Sequence, residues 1–290
     1  MLKLKKQTQC HAEKWLFLLF FLMSFGLYGQ TMSSVFNENR KLMALSLNLD
    51  YGLYRDFSTS PLFYEMPGVG LTISGIYNTE KVENRFDLEG NLFYWNALFL
   101  SFNSYYHYLH QIPVFKSEKW DLKVGGAFMF TQNFRNNPAL QNAQVGFESL
   151  ANLMVVGKIS KDISRLKPKD YKCWFIKGSK KPIKRLISLQ MNFGVLNFNH
   201  RPSTYNYVYL GAINGTELSL SEFLEEYQWK LNGWRIGTQI EYTWYYPSGN
   251  GRKIAYNWEA AHAPGTFEPF ETASHKLQFT ILINNKKRKP

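Results

Sequence analysis

The histidines and serines of the chain are the first candidates for catalysis. A serine hydrolase requires a serine, a histidine and an orienting polar group within reach of one another. Ser274 adjoins His275, but neighbouring residues of a strand point to opposite faces. His262 and His200 lie at the ends of predicted strands, yet the sequence pairs neither of them with a nucleophile. The sequence therefore predicts no catalytic serine site.

Metal chemistry has equally little support. His107 and His110 are three residues apart, a spacing that places two strand residues on opposite faces rather than around one ion. We expect no catalytic residue, no cofactor and no metal site, and we predict that the protein is not an enzyme.

Charged side chains recur at alternate positions of several predicted strands. Arg85, Asp87 and Glu89 share one strand, and other strands contribute Lys123, Arg235, Glu241, Lys253 and Glu259. We expect these side chains to face one enclosed interior and to pair there with one another and with Gln190 and Gln239. The predicted lumen network comprises Arg85, Asp87, Glu89, Arg235 and Glu241. It has two interpretations: a structural plug of ion pairs, or a narrow polar path for a small solute.

Basic residues are concentrated in two segments. Segment 158–185 has eleven Lys and Arg against two Asp, and the tail carries KKRK at 286–289. The formal charge of the whole chain is +12, so these segments hold the entire basic excess. The apolar letters CWFI interrupt the first segment at 173–176. We predict a partner-binding site in this segment, made of Lys161, Arg165, Lys167, Lys169, Lys172, Trp174, Phe175, Lys177, Lys180 and Lys181.

Two partners fit such a basic segment. A solvated basic loop is attracted to anionic lipid headgroups by up to roughly 1 kcal/mol per residue. An acidic periplasmic protein fits as well, because a loop that is only solvated has no need of Trp174, Phe175 and Ile176. Nucleic acid is not expected, because residues 1–29 have a basic start and an apolar run that predict export.

The elements that must position these residues are strands. Aromatic residues make up 17% of the chain and charged residues only 19%, a composition that excludes a disordered chain. The mean hydropathy of −0.32 argues against a bundle of membrane helices. From residue 42 onward the dominant period is two, as in 42–54 and 233–246. Each such segment predicts a strand with one apolar and one polar face.

The length of these strands indicates a membrane barrel. Strands of soluble proteins average five or six residues, whereas a tilted strand needs about 9–11 to cross a bilayer. The predicted strands run nine residues or more, and several end in aromatics suited to an interfacial girdle: Tyr51, Tyr77, Tyr94, Tyr242 and Trp244. A soluble sandwich or a lipocalin-like barrel, with its apolar face inward, is the alternative.

The predicted fold is an all-β, antiparallel transmembrane barrel of about ten strands, with eight or twelve as alternatives. The strands are 42–54, 68–78, 85–95, 98–112, 120–132, 147–159, 186–197, 233–246, 253–262 and 273–284. An even number leaves both termini in the periplasm, with turns at 79–84, 113–119, 160–185 and 247–252. The outward loops are then 55–67, 96–97, 133–146, 198–232 and 263–272. A general porin of 16–18 strands is excluded by length.

The regions outside the barrel also have sequence signals. Residues 1–29 combine a basic start with the apolar run WLFLLFFLMSFGLYG, which predicts a cleaved signal peptide and a mature chain with Cys173 alone. Residues 30–41 form a lead-in, 42–284 the barrel, and 285–290 a basic tail. In the long outward loop 198–232, Ser219 and Glu222 form a capping-box pattern that predicts a short helix.

These features together resemble a small outer-membrane β-barrel. The resemblance rests on the signal peptide, the alternating strands, the turn KSEKWDLKVGGAF at 116–128 and the final strand HKLQFTILI at 275–283. The abundance of Tyr and Asn resembles barrels of the Bacteroidota type. The resemblance is architectural and covers nearly the whole mature chain, so it implies a fold and an outer-membrane location rather than a role.

Three functions remain open at this point. The leading one is a non-enzymatic structural or accessory barrel that docks periplasmic or envelope partners through 158–185 and external ones through 198–232. The second is a narrow channel for small polar solutes, and the third is a lipid hydrolase at the barrel rim.

Overall fold

The computed structural model describes most of the chain that follows the apolar N-terminal run. The described residues are 39–57, 60–94, 97–115, 117, 119–139, 145–165, 167–174, 176–180, 182–200, 228–230, 233–263 and 270–285. The predicted signal peptide, nearly all of the lead-in, the basic tail and the predicted helix after Ser219 lie outside these residues.

Long strands dominate the described residues. The strands that build the barrel are β1 (Arg40–Asp56), β2 (Ser60–Asn78), β3 (Val82–Tyr94), β4 (Leu98–Gln111), β5 (Trp120–Asn136), β6 (Val145–Asp162), β9 (Lys184–His200), β11 (Trp234–Tyr245), β12 (Gly251–Ala263) and β13 (Phe270–Asn284). The shorter ones are β7 (Lys169–Cys173), β8 (Ile176–Lys180) and β10 (Gln228–Lys230). A 3₁₀ turn spans Pro113–Phe115. No helix among the described residues is long and apolar enough to cross a membrane.

Antiparallel pairing closes the ten long strands into a barrel. Each pairs with the next along the chain, β9 pairs with β6, and β13 returns to β1 in a register that runs from Leu42↔Asn284 to Asp56↔Phe270. The prediction of ten antiparallel strands is therefore confirmed. Closure leaves the sheet without an edge, because the first and last strands satisfy each other's backbone groups.

The barrel is polar inside and apolar outside. On β1, Ser46 and Asn48 are buried, whereas Leu45 and Leu47 are each 51% exposed. The same alternation puts one exposed large apolar residue in the central part of every barrel strand: Leu47, Leu71, Leu88, Phe102, Phe128, Val155, Leu189, Ile240, Ile254 and Phe279. So continuous an apolar surface is unsuited to water and matches the lipid-facing band of an outer-membrane-type barrel. The lipocalin-like alternative, with an apolar interior, is wrong.

Several predicted boundaries need correction. Arg40 and Lys41, assigned to the lead-in, already belong to β1, and β2 begins at Ser60 rather than residue 68. The insert 160–185 is not a single loop, because its ends extend β6 and β9 and its middle forms the β7–β8 hairpin. Strand pairing can extend beyond the lipid-facing part of a strand, where alternation of apolar residues no longer marks it.

The two ends of the barrel differ in their connections. One end of the barrel, which we call the termini end, carries the start of β1, the end of β13, the β7–β8 hairpin and the tight turn between β11 and β12. That turn uses Gly249 at φ 84°, a conformation that glycine adopts without strain, and closes with a hydrogen bond from Tyr246 N–H to Asn250 O of 2.8 Å. The opposite end carries the connection between β9 and β11, which includes β10 paired to the end of β9.

Candidate functional site

The lumen holds a cluster of buried charges near the termini end. Alternation along β3, β5, β6, β11 and β12 turns these side chains inward, where lipid cannot reach them. We call this the termini-side cluster, and its charged members are Glu83, Arg85, Asp87, Asp121, Lys123, Lys158, Glu241 and Lys253. The cluster therefore has four acidic and four basic residues.

Glu241 is the centre of the termini-side cluster. Its Oε1 accepts from Lys253 Nζ at 2.8 Å and from Arg85 Nη1 at 3.2 Å. Its Oε2 lies 3.3 Å from Lys158 Nζ and accepts from Ser188 Oγ at 3.3 Å. Three cations thus converge on one buried carboxylate, which compensates much of the cost of removing these charges from water.

Glu83 organises the other side of the same cluster. Lys158 Nζ donates to Glu83 Oε1 at 2.7 Å, and His107 Nε2 lies 3.3 Å from the same oxygen. Lys123 Nζ is 3.8 Å from Glu83 Oε2 and donates to Asn78 Oδ1 at 2.9 Å. Lys158 therefore joins the two carboxylate centres, Glu83 and Glu241, into one network.

The termini-side cluster extends across the full width of the lumen. Arg85 on β3 and Glu241 on β11 are joined, although β3 and β11 lie five strands apart in either direction around the ring. Because opposite walls are bonded to each other through side chains, the lumen is filled at this level. This geometry corresponds to the plug interpretation of the sequence.

A second polar layer lies farther from the termini end. Lys276 forms an ion pair with Glu89, which also accepts from Asn91 Nδ2 at 2.6 Å and from Thr72 Oγ1 at 3.0 Å. Gln278 Nε2 donates to Asn48 Oδ1 at 3.1 Å. This layer connects β1, β2, β3 and β13.

Arg235 makes a third set of contacts across the lumen. Its Nη2 lies 2.5 Å from Glu259 Oε1 on the neighbouring strand. Its Nη1 donates to Asn152 Oδ1 at 2.9 Å on β6 and to Thr131 Oγ1 at 3.0 Å on β5. One guanidinium therefore links four strands, a task for which its planar set of donors is suited.

An aromatic cluster occupies the lumen toward the opposite end. It comprises Tyr54, Met66, Phe93, Phe99, Leu150, Ala263 and Phe270. Tyr54 stacks on Phe99 with ring centroids 5.7 Å apart, and Phe93 meets Phe99 edge-to-face at the same separation. The buried Arg135 lies over Tyr54, with its Nη2 3.3 Å from Asp56 Oδ2. Apolar side chains thus occupy part of the lumen here.

A cavity of about 170 Å³ lies between these layers. Tyr54, Phe93 and Phe99 line it on one side, and Arg85 and Asp87 line it on the other. The polar wall between them includes Asp50, Glu89, Gln190, Arg235, Glu259 and Lys276.

The structure divides the predicted lumen network into separate groups. Arg85, Asp87 and Glu241 come together, with Arg85 Nε donating to Asp87 Oδ1 at 2.8 Å. Glu89 belongs to the Lys276 layer, and Arg235 pairs with Glu259 instead.

Sequence reasoning missed Glu83 and misplaced Lys158. Glu83 fell within the predicted turn 79–84, and Lys158 was counted with the basic insert, although both are buried in the lumen. Continuing the alternation of the strand 85–95 by one step would have placed Glu83 inside, and following the alternation within the strand 147–159 would have placed Lys158 inside.

The residues of the predicted partner-binding site lie at the termini end. Lys161 Nζ is 4.7 Å from the centroid of the Trp120 ring, Arg165 pairs with Ile183 in an isolated bridge, and Lys167 is exposed. Trp174 follows β7 at the tip of the hairpin. Lys169, Lys172, Lys177 and Lys180 belong to β7 and β8, but their side chains, and all of Phe175 and Lys181, lie outside what is described.

His262 and His275, which the sequence offered as candidates for catalysis, do not belong to one group of side chains. Ser274 lines the cavity, whereas the hydroxyl of Tyr256 lies 2.7 Å from Nδ1 of the neighbouring His275 on the outer side. His262 Nδ1 is 3.4 Å from Glu271 Oε1. Among the described residues, no three His, Cys, Asp or Glu are grouped so that they could hold a metal ion.

Known proteins resemble this chain only distantly. No protein-family model matches the sequence, and no curated protein matches it. The translocator domain of the autotransporter NalP from Neisseria meningitidis aligns over 94% of this chain and 97% of its own, with 8% identity and a TM-score of 0.32. The transport unit of the autotransporter AIDA-I from Escherichia coli aligns over 89% and 94%, with 8% identity and a TM-score of 0.34.

Neisserial surface protein A is a third similar structure. It aligns over 82% of this chain and 96% of its own, with 8% identity and a TM-score of 0.28. Superpositions this loose carry no functional argument, and they give no support to an affinity with Bacteroidota-type barrels. The assignment as an integral barrel rests on the strand pairing and the apolar outer face of the chain itself.

Proposed function

We propose that this protein is a non-enzymatic outer-membrane barrel that docks an acidic periplasmic protein through the insert 160–185. The apolar outer face supports placement in a membrane, and the filled lumen supports a role other than solute passage. The insert lies at the same end of the barrel as the start of β1 and the end of β13, which is the periplasmic end in outer-membrane barrels of even strand number.

The folded hairpin within the insert carries this proposal. β7 and β8 pair from Lys169↔Lys180 to Cys173↔Ile176. Trp174 at its tip is 87% exposed and has φ 50°, a left-handed conformation that costs free energy in a residue other than glycine. Exposed tryptophans frequently dominate binding energies, and clustered lysines steer an acidic partner toward them. Attraction to lipid headgroups by itself requires charge but no folded hairpin.

Site-specific photo-crosslinking in cells tests the docking directly. A photo-reactive amino acid replaces Trp174, and as a matched control it replaces Val114, which is also 87% exposed in a turn at the same end. We expect a discrete protein adduct from position 174 and none from position 114. Replacing Lys169, Lys172, Lys177 and Lys180 together by Gln should abolish the adduct.

Two further observations complete the test: whether the crosslinked partner is an acidic protein, and whether the barrel remains folded. An adduct that contains an acidic protein supports docking, whereas crosslinking to lipid alone, or persistence of the adduct in the lysine variant, contradicts it. Replacing the hairpin by a short Gly-Ser link should leave the barrel folded, because β7 and β8 pair only with each other among the described strands. Heat-dependent migration on gels reports whether the barrel is folded.

A narrow channel is the second candidate, and the cavity is the observation that favours it. For a solute to pass, the contact of Arg85 with Glu241 and the contacts of Arg235 with Asn152 and Thr131 would have to separate. Steady conductance of the folded wild-type protein in a planar bilayer, altered by Arg85→Gln or Arg235→Gln, would favour this candidate over docking.

A further inference from the structure

Asp50 has a buried carboxylate for which the described residues provide no hydrogen-bond donor. The residue is 6% exposed and lines the cavity between the polar layers and the aromatic cluster. Both its Oδ1 and its Oδ2 are buried without a donor among the described residues. Burial of an ionised carboxylate without any such bond is costly, so this group indicates a partner that the lumen itself does not supply.

The cations nearest to the cavity already have other partners. Lys276 is the cross-strand neighbour of Asp50 on β13, but its Nζ donates to Glu89. Arg235 is bonded to Glu259, and Arg85 is bonded to Asp87 and Glu241. When these pairs are matched, the negative charge of Asp50 remains, so the cavity wall is complementary to a single positive charge.

The rest of the cavity wall offers acceptors rather than donors. Four amide oxygens that line it are buried and also lack a donor in the described part of the chain, those of Asn91, Asn133, Gln190 and Gln278. On the same criterion, the donor left over in this wall is Arg235 Nε. Among the buried polar atoms of this wall that make no hydrogen bond to the described residues, six are oxygens and one is an N–H, and this imbalance favours an occupant rich in donors.

The orientation of these amides is set by the network behind them. Asn91 Nδ2 donates to Glu89, Gln190 Nε2 donates to Asn192 Oδ1, and Gln278 Nε2 donates to Asn48 Oδ1. Rotating any of these three amides would place an oxygen against an acceptor, so their nitrogens are committed to the wall and their oxygens are left without a donor from the described residues.

We propose that this cavity binds a small primary ammonium compound, with the charged nitrogen against Asp50 and its N–H groups, or an attached hydroxyl, toward the amide oxygens. An ammonium supplies one positive charge and three donors, which is what this wall lacks. The volume of about 170 Å³ exceeds the roughly 10–15 Å³ required by one water, so it admits a short organic amine. This site is independent of the docking hairpin.

Three small molecules distinguish the contribution of positive charge to binding from that of hydrogen-bond donors. Ethanolamine carries both, ethylene glycol has similar size and donors without charge, and tetramethylammonium has charge without N–H donors. The whole barrel is refolded in detergent with each probe present, so that entry into a closed lumen does not limit binding. We expect ethanolamine alone to raise the unfolding temperature in a concentration-dependent and saturable way. The dependence of the unfolding temperature on the ethanolamine concentration present during refolding then gives its affinity.

Matched variants assign the binding to Asp50. Asp50→Asn keeps the size of the side chain and removes its charge, and we expect it to weaken ethanolamine binding about tenfold or more, as for a lost hydrogen bond to a charged group. Asp121→Asn removes a lumen carboxylate that does not line the cavity and is bonded to Gln111, and it should bind ethanolamine like the wild type.

Several results would overturn the proposal. A cavity occupied by water alone would show no stabilisation by ethanolamine. Equal stabilisation by ethylene glycol would indicate general filling by polar solute, and equal stabilisation by tetramethylammonium would indicate an unspecific charge effect. Ethanolamine binding that survives Asp50→Asn in a folded barrel would place the site elsewhere. Because Asp50→Asn removes a buried charge that accepts no hydrogen bond from the described residues, we expect this variant to fold.

Discussion

Arg85 and Glu241 join opposite walls of the barrel, with Nη1 of the arginine 3.2 Å from Oε1 of the glutamate. Their strands, β3 and β11, are the most distant pair that a ten-stranded ring permits. Both side chains are buried, and each has further partners, Asp87 for the arginine and Lys253 for the glutamate. The pair therefore acts as a cross-brace through the lumen rather than as an isolated ion pair.

Removing the charge of Glu241 should destabilise the barrel strongly. Glu241→Gln leaves Arg85, Lys158 and Lys253 in the lumen without their shared carboxylate. Breaking a buried ion pair by removal of one partner costs about 3–5 kcal/mol. Guanidinium unfolding in lipid should show a loss of this order. The control Glu65→Gln, at an exposed position, should change the free energy of unfolding by less than about 0.5 kcal/mol.

A double-mutant cycle should isolate the cross-brace. We expect Arg85→Ala and Glu241→Ala to couple by about 1–3 kcal/mol, because each residue contacts the other directly in a buried network. The pair Arg55 and Glu271 is partly exposed at the other end of the barrel and should couple by less than about 1 kcal/mol. Independent effects of the two lumen substitutions would show that the contact is not an energetic unit.

The apolar outer face predicts that the cost of a charged substitution depends on its depth in the bilayer. Leu47→Arg places a charge near the middle of the lipid-facing band and should cost about 2–4 kcal/mol in lipid vesicles. Met43→Arg lies four residues nearer to the termini end on the same face and should cost at most about 1 kcal/mol. Equal costs at the two positions would contradict the proposed position of the bilayer.

Gly68 lies so close to the Phe93 ring of the aromatic cluster that a side chain at this position would collide with it. A Cβ at this position would lie 2.5 Å from Phe93 Cδ1 and 2.9 Å from the carbonyl oxygen of Leu92, so Gly68→Ala must displace the ring or the backbone. We expect a loss of about 1–3 kcal/mol, as for overpacking. Gly75→Ala on the same strand meets nothing within 4 Å and should be neutral or slightly stabilising. Thermal unfolding of the two variants side by side tests this difference.

Much of the fold was predictable because alternation is a local property. A period of two along 42–54 or 233–246 identifies a strand and its two faces without any knowledge of its neighbours. Ten such strands, too long for a soluble sheet, specified an antiparallel membrane barrel with a polar lumen. The hairpin within 160–185 was not predicted, because its strands are short and lack the long alternation that marks the barrel strands.

The pairing of charges was decided by the closed barrel alone. Alternation could turn Glu89, Arg235 and Glu241 inward, but not show that Lys276, Glu259 and Arg85 meet them. The contact of Arg235 with Glu259 depends on the register of the β11–β12 hairpin. The contacts of Arg85 with Glu241 and of Lys276 with Glu89 arise only when β13 closes on β1. The solitary carboxylate of Asp50 is likewise a consequence of closure, because Lys276, its cross-strand neighbour, bonds to Glu89 instead.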